Sequence, residues 1–213
     1  MEIDSGQLPA HQRYKRMTSL SSLHRAAADA LVTTLGANGV ANAAPFSMFN
    51  MLGQDPPIGM LSINRLHDGQ IKDTAANILR PGEFVVRICD EAMTAQMHKC
   101  GEAFWPEISE LEQVGLHVVP SQTIAPLRIA KAPAAFECVL HEKLVTESRI
   151  VYIGRVTWLS GRGGLVDVER WRVRLQSYHP VGRFGARLYV KTGDRFAIRG
   201  AEAGARTTTI DEI

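Results

Sequence analysis

The chain is poor in cysteine and in net charge, and both shortages limit what it can be. Its 213 residues include three cysteines, Cys89, Cys100 and Cys138, an odd number without metal-like spacing. We therefore expect buried, reduced thiols in a cytoplasmic protein, and neither a disulfide framework nor a zinc site. The formal net charge is only +2, which is too small for a nucleic-acid binder that relies on the charge of the whole domain.

Formal charge is absent altogether from one long segment. The 25 residues Ala30 to Gln54 carry none, and this is about the length that a transmembrane helix needs. Gly36, Asn38 and Pro45 would break or polarise such a helix in lipid, so we expect no membrane partner. Residues 1–16 carry charges and no apolar core, so we expect no secretory signal either.

Familiar catalytic and nucleotide-binding signatures are also missing. Neither GxGxxG nor GxxxxGK[ST] occurs, so the dinucleotide fingerprint and the P-loop do not support a nucleotide fold. No Ser-His-Asp or paired-carboxylate arrangement is visible. A phosphate group, if one is bound, must be held in another way.

Short apolar segments separated by turn residues predict a mainly β chain. The predicted strands are Ala26–Leu35, Val40–Ala44, Ile58–Asn64, Glu83–Ile88, Pro126–Ile129, Ala134–Val145 and Arg149–Leu159. The predicted helices are Lys72–Leu79, Asp90–Lys99 and Asp167–Arg174, with a short helix or turn at Phe46–Leu52. Asn38-Gly39 predicts a hairpin turn, and Asp73 and Thr74 are candidate helix caps. Hairpins without βαβ spacing favour an antiparallel barrel or sandwich with added helices.

Two segments combine small residues with hydrogen-bonding side chains. In Asn42-Ala43-Ala44-Pro45-Phe46-Ser47 the small residues would let a ligand approach the backbone closely. Ser62-Ile63-Asn64-Arg65 and Lys72-Asp73-Thr74 supply two positive charges, and Thr74 adds donors at a helix N-terminus, which suits a phosphate dianion. A plainer interpretation stays open, in which the first segment is a strand end and the last a helix cap.

Six short motifs share their order and spacing with a known family. They are Leu31-Val32-Thr33-Thr34 with Asn38-Gly39, Asn42 to Ser47, Asp55-Pro56-Pro57, Lys72-Asp73-Thr74 with Asn77-Ile78, Gly82-Glu83-Phe84-Val85-Val86, and Ala135-Phe136-Glu137-Cys138. Through them the chain resembles the flavin reductase-like, FMN-binding split-barrel family from about Leu31 to Val156, with a further match at 183–196. One departure is Arg87, where the family often has Asn.

The resemblance implies a six-stranded antiparallel Greek-key split barrel that binds FMN at a homodimer interface. Backbone groups of Ala44 to Ser47 would meet the isoalloxazine ring, with Asn42 and Ser47 as polar anchors. The residues that would hold the ribityl chain and the phosphate are Ser62, Arg65, Lys72 and Thr74. Arg183 and Tyr189 lie in a segment whose family counterpart reaches the flavin, so both are second-tier ligands.

The activity that the resemblance implies is that of an FMN-dependent NAD(P)H:flavin oxidoreductase. Hydride would pass from NADH or NADPH to flavin N5, and a separate monooxygenase partner could receive the reduced flavin. This chemistry demands no catalytic base, so we predict no catalytic residue. A non-catalytic FMN-binding electron-transfer or flavin-carrier protein is the alternative, and a reductase of another acceptor is a third interpretation.

Length and the extent of the resemblance together suggest one domain with two extensions. We expect an N-terminal arm over residues 1–19 and the FMN-binding split-barrel domain over 20–160. Residues 161–213 would form a C-terminal extension that completes the fold and the dimer.

Overall fold

The protein is described by a computed structural model that covers residues 2–4, 7–9, 12, 16, 29–185 and 187–196. Most of the predicted N-terminal arm, and the beginning of the strand predicted from Ala26, lie outside the described residues. The strands are β1 (Glu2–Asp4), β2 (Ala30–Leu35), β3 (Ala41–Phe46), β4 (Phe49–Gln54), β5 (Pro57–Asn64), β6 (Glu83–Ile88), β7 (Val118–Val119), β8 (Arg128–Ile129), β9 (Ala134–Val145), β10 (Arg149–Gly161), β11 (Val166–Asp167), β12 (Arg172–Val173), β13 (Val181–Gly185) and β14 (Leu188–Lys191). The helices are α1 (Asp73–Leu79), α2 (Thr94–Lys99) and α3 (Glu110–Gln113), with 3-10 turns at Glu91–Met93 and Leu175–Ser177.

One antiparallel sheet dominates the fold. Its strand order is β3-β2-β6-β9-β10-β5-β4, and β1 pairs with the far end of β10. The two longest strands, β9 and β10, correspond to the strands predicted at 134–145 and 149–159 and form a hairpin across residues 146–148. The mainly β, antiparallel fold class is thereby confirmed.

The chain itself joins the two edges of this sheet. β3 and β4 lie at opposite ends of the strand order, yet only Ser47 and Met48 separate them in sequence. The Ser62 N–H donates to the Met48 carbonyl across this bend at 2.9 Å. Counted as one bent strand, β3 and β4 complete a ring of six strands, and this agrees with the predicted six-stranded barrel.

Alternating side chains divide the apolar residues of β2 between two clusters. Ala30 and Val32 face the barrel interior, together with Phe84 and Phe136. Leu31 points outward into a second cluster that packs α2 against the barrel. This division follows from the two-residue period of a strand, and it explains how β2 can be apolar along its whole length.

Two predicted helical segments are strands instead. Phe49 and Met51 of the predicted 46–52 helix or turn pack on the barrel core at alternate positions, because β4 pairs with β5. Within the predicted 167–174 helix, the Asp167 carboxylate accepts the N–H groups of Glu169 and Arg170. That local bonding favours a turn over a helix, and the turn joins β11 to β12.

The predicted caps of α1, Asp73 and Thr74, were also wrong, because both residues already lie inside the helix, which begins at Asp73. Lys72 is the N-cap residue, and no side chain makes a capping hydrogen bond.

The hairpin turn at Asn38-Gly39 is confirmed, since Gly39 has a φ of +79°, a conformation that glycine adopts readily. Among the described residues, no helix has both the length and the apolarity to cross a bilayer.

Arg87, which departs from the resembling family, lies fully buried on β6. Its guanidinium donates to Thr33 Oγ1 at 2.8 Å and to the Leu127 carbonyl. Burial lowers the pKa of Arg87 to about 9. On the adjacent strand β9, Glu137 is fully buried as well and bonds the 122–123 backbone. These buried polar groups hold the segment between α3 and β9 against the barrel.

Gly154 marks a close contact between β10 and the barrel core. A Cβ atom at this position would lie 2.5 Å from Phe84 Cζ and 3.2 Å from Cys138 Cβ. We expect Gly154→Ala to lower the free energy of unfolding by at least about 1 kcal/mol, because overpacking strains a dense core. Urea denaturation measures this, with Gly163→Ala as the control, since a Cβ there meets nothing within 4 Å. Equal stability of the two variants would contradict the packing of Phe84 against β10.

Candidate functional site

β3 lies at one edge of the sheet. Its backbone groups that point away from β2 can therefore bond partners other than β2. The Ala43 N–H donates to Glu110 Oε2 at 2.9 Å, so it points away from β2. Because bonding directions alternate along a strand, Pro45 also faces outward, where its missing N–H costs the sheet no hydrogen bond. The N–H groups of Asn42, Ala44 and Phe46 are then directed to β2. Ser47 follows the strand at the bend, and its side chain is exposed.

A side-chain contact joins the two segments that the sequence analysis selected. Asn42 Nδ2 donates to Thr74 Oγ1 at 3.0 Å, across 32 residues of sequence. One turn further along α1, Asn77 Nδ2 donates to Thr34 Oγ1 at 3.1 Å. These contacts anchor the beginning of α1 to β2 and β3, so that Lys72 and Thr74 lie beside the small-residue strand.

The end of β5 contributes a third part of the site and brings in a residue that the sequence analysis missed. Arg149 Nη1 lies 3.3 Å from Ser62 Oγ and 2.8 Å from Met48 Sδ. Arg149 therefore places a cation between the bend and β5. It pairs with Asn64 in the β5–β10 register, so a correct strand register would have been the signal that revealed it.

The charged predicted residues lie at the surface around these contacts. Lys72, Asp73 and Asn64 are exposed, whereas Arg65 is half-buried. Arg65 Nη1 donates to the Gly69 carbonyl at 3.1 Å, which leaves other guanidinium donors available. Arg65, Lys72 and Arg149 supply three positive charges against the two carboxylates of Asp73 and Glu110, so this region favours an anionic group.

Five of the predicted site residues have no polar side-chain group that could bond a ligand. The side chains of Ala43 and Ile63 are buried in the two apolar clusters. Ala44, Pro45 and Phe46 are half-buried and carry no polar side-chain atom. Ala44, Pro45 and Phe46 can therefore offer a ligand shape and apolar surface, and of these three only Pro45 directs its carbonyl group away from β2.

Arg183 and Tyr189 lie opposite each other in the β13–β14 hairpin. The Tyr189 hydroxyl is 2.8 Å from His98 Nδ1, and its ring packs beside the second cluster, to which Ala43 also belongs. Burial raises the pKa of Tyr189. This pair thus approaches β3 from the α2 side, while Ser62 and Arg149 lie at the bend that follows β3.

Reactive groups are scarce in the described part of the chain. Three or more His, Cys, Asp or Glu side chains do not come together there in a way that could hold a metal ion. The thiols of Cys89, Cys100 and Cys138 are free and buried, as predicted. Burial raises the pKa of both Cys89 and Cys100 to about 12, so neither is a thiolate nucleophile near neutral pH. The arrangement can bind and orient a ligand, and a bound cofactor would have to supply the chemistry.

The antiparallel sheet, closed by the bend between β3 and β4, places the protein in the class of split-barrel proteins. The chain belongs to the flavin reductase-like family: the model described as "Flavin reductase like domain" matches residues 24–171. The family model thereby confirms the resemblance that the sequence motifs indicated.

Solved structures of related proteins agree with this assignment. The 2-nitrobenzoate 2-nitroreductase NbaA of Pseudomonas fluorescens is 35% identical, with a TM-score of 0.74, over 96% of this chain and 98% of that chain. Nitrilotriacetate monooxygenase component B of Bacillus cereus is 30% identical, with a TM-score of 0.75, over 92% and 97%. A split-barrel domain protein of Shewanella frigidimarina, 18% identical with a TM-score of 0.69 over 92% and 96%, shares the fold. The family and the first two relatives support a flavin-handling oxidoreductase.

Proposed function

We propose that the protein is an FMN-dependent NAD(P)H:flavin oxidoreductase. Bound FMN would supply the redox chemistry, which is hydride transfer from the nicotinamide. The observation that carries the proposal is the Asn42–Thr74 contact, which sets the start of α1, with Lys72, beside the small-residue strand β3. Family membership supports the flavin, and the cationic surroundings support one that carries a phosphate.

The chain's own part is to bind and orient the cofactor. Lys72, Arg65 and Thr74 suit the phosphate, since charge-assisted hydrogen bonds to anions are strong. Ser62 and Arg149 suit the polar ribityl chain or the phosphate next to it. Ala44 to Phe46 and the backbone of Ser47 suit the ring, with the side chains of Asn42 and Ser47 as polar anchors. Orientation of the two rings, rather than acid–base catalysis, is what such a transfer requires.

A steady-state assay separates this proposal from the flavin-carrier alternative. With NADH or NADPH and added FMN, a reductase consumes the nicotinamide in many turnovers per protein molecule. A carrier binds FMN and leaves the nicotinamide unconsumed. A protein that fails to bind FMN at all would exclude both functions.

A second candidate function is reduction of an acceptor other than free flavin. The relative that reduces 2-nitrobenzoate is 35% identical along nearly the whole chain, so nitroaromatic acids are the first acceptors to assay. Delivery of reduced flavin to a monooxygenase partner is favoured by the 30% identical monooxygenase component. Mixing the protein with nitroaromatic acids and NADH, with no added free flavin, distinguishes the two functions.

We also propose that the protein works as a homodimer with the flavin near the interface. Several large apolar side chains are exposed around the bend and the β9–β10 hairpin, among them Met48, Leu66, Leu144 and Val145. Clustered exposed apolar surface is typical of interaction sites. Sedimentation equilibrium would give twice the chain mass if this is correct.

The domain bounds 1–19, 20–160 and 161–213, and a cytoplasmic location, stay predictions.

Arg183 is our candidate for recognition of the extra phosphate of NADPH. It is exposed on β13 and lies opposite Tyr189, on the side of β3 away from Ser62. We expect Arg183→Ala to lower the preference for NADPH over NADH, measured as the ratio of kcat/KM values, by about tenfold, since a charge-assisted contact would be lost. Arg155→Ala, on the exposed side of β10, is the control. An unchanged ratio would remove Arg183 from the nicotinamide site.

A further inference from the structure

A cavity of about 590 Å³ lies apart from the residues assigned to the flavin. It is lined by Asp90 and the 3-10 turn that follows it, by α2, by residues 115–117 and 129–131, and by Arg162, which directly follows β10. None of its described lining residues belongs to the predicted flavin set. Its volume is within the range of sites that bind small organic molecules.

One wall of the cavity is apolar and firmly packed. Met93 and Ile129 are 5% and 4% exposed, and Leu116 packs against the same second cluster. Because these side chains are fixed by the core behind them, the wall is formed in advance of any ligand. Such a wall suits a compact apolar body, for example an aromatic ring.

The rest of the lining contains basic side chains. His117, Lys131 and Arg162 contribute to it, and Asp90 is the one carboxylate among the described lining residues. Asp90 Oδ2 bonds Arg162 Nη1 at 2.8 Å, and the Arg162 side chain is 43% exposed. The buried carboxylate thus holds one edge of the guanidinium, while other N–H donors of Arg162 stay open to a ligand.

A buried polar atom in this lining has no hydrogen-bond partner in the described part of the protein. Asp90 is 6% exposed, and its Oδ1 atom accepts no hydrogen bond there. Buried acceptors of this kind are rare in folded proteins and call for an explanation. An ordered water would complete the bonding of Asp90 Oδ1, whereas a carboxylate ligand, which has no donor, would instead accept from the other N–H groups of Arg162.

We propose that this cavity is a binding site for a small organic anion that carries a carboxylate on an aromatic or branched apolar body. The carboxylate lies beside Arg162 and Lys131, and the apolar body lies against Met93, Leu116 and Ile129. The site is separate from the flavin site, so the proposal does not depend on the proposed function.

Calorimetric titration of the full-length protein with benzoate tests the proposal. Benzoate should bind, whereas acetate, which lacks the apolar body, and benzyl alcohol, which lacks the charge, should bind at least about tenfold more weakly. Arg162→Gln should weaken benzoate binding by about tenfold or more. Arg155→Gln, an exposed arginine on β10, should leave it unchanged.

A second variant covers the case in which Arg162→Gln destabilises the fold by leaving Asp90 unpaired. Ala130 is exposed and lines the cavity, so Ala130→Phe should fill the space and abolish benzoate binding in a folded protein. Absence of benzoate binding to the unaltered protein would overturn the proposal. So would binding that survives Ala130→Phe, or binding that saturating FMN displaces, since benzoate would then occupy the flavin site.

Discussion

Replacement of Glu137 by alanine is expected to lower the free energy of unfolding by about 3 to 5 kcal/mol, the range for breaking a buried ion pair. The carboxylate is fully buried and accepts the N–H groups of Gln122 and Thr123 at 2.9 and 2.8 Å. It also lies 3.3 Å from Arg128 Nε, whose side chain is 8% exposed. Alanine would remove the acceptor of these part-buried N–H groups and one of the two carboxylate partners of the buried Arg128, which would keep only Glu2.

Thermal and urea denaturation measure this loss, and the same strand offers a control. Glu142 is exposed on β9, so Glu142→Ala should change stability by no more than about 0.5 kcal/mol. Glu137→Gln keeps one acceptor oxygen and should fall between the two. If Glu137→Ala proved as stable as Glu142→Ala, the segment between α3 and β9 would not be held by this carboxylate.

Replacement of Lys72 by alanine is expected to weaken FMN binding by about 1 to 3 kcal/mol, the value of a hydrogen bond to a charged group. That range corresponds to about fivefold to 150-fold in Kd. Lys72 is exposed and precedes α1 without a capping hydrogen bond from any side chain. Its removal should therefore leave the stability of the protein nearly unchanged.

Riboflavin, which lacks the phosphate, provides the matched ligand for this experiment. Its affinity should be the same in Lys72→Ala and in the unaltered protein, while the advantage of FMN over riboflavin shrinks. Lys99→Ala, which removes an exposed lysine at the end of α2, should alter neither affinity. Equal FMN affinity in the Lys72 variant would mean that Lys72 is only the N-cap residue of α1 and does not contact the phosphate.

Local sequence patterns were sufficient for most of the barrel. Alternation and turn residues placed β6 and β9 with the bounds that the structure has, and Asn38-Gly39 marked its hairpin. Phe46–Leu52 was misassigned because a seven-residue apolar segment is compatible with a helix or a strand. Only pairing with β5 across the sheet decides in favour of β4, and that pairing is not a local property.

The candidate site also has parts that local sequence patterns predict and parts that only the folded chain brings together. The small-residue strand and the Lys72-Asp73-Thr74 segment were visible in the sequence because their composition is unusual over a few residues. Their meeting through Asn42 and Thr74 depends on how α1 packs against β3. Local patterns could not predict Arg149 as a site residue, because 87 residues separate it from Ser62. Only the register of β5 on β10 brings the two together.

The most direct test of the proposed reductase is rapid anaerobic mixing of the FMN-loaded protein with NADH, and separately with NADPH, while the oxidised flavin absorbance is followed. Hydride transfer within this protein predicts that at least one nicotinamide bleaches the bound flavin within seconds. A flavin that stays oxidised with both nicotinamides, and is bleached only by dithionite, would contradict reductase activity and leave a flavin carrier.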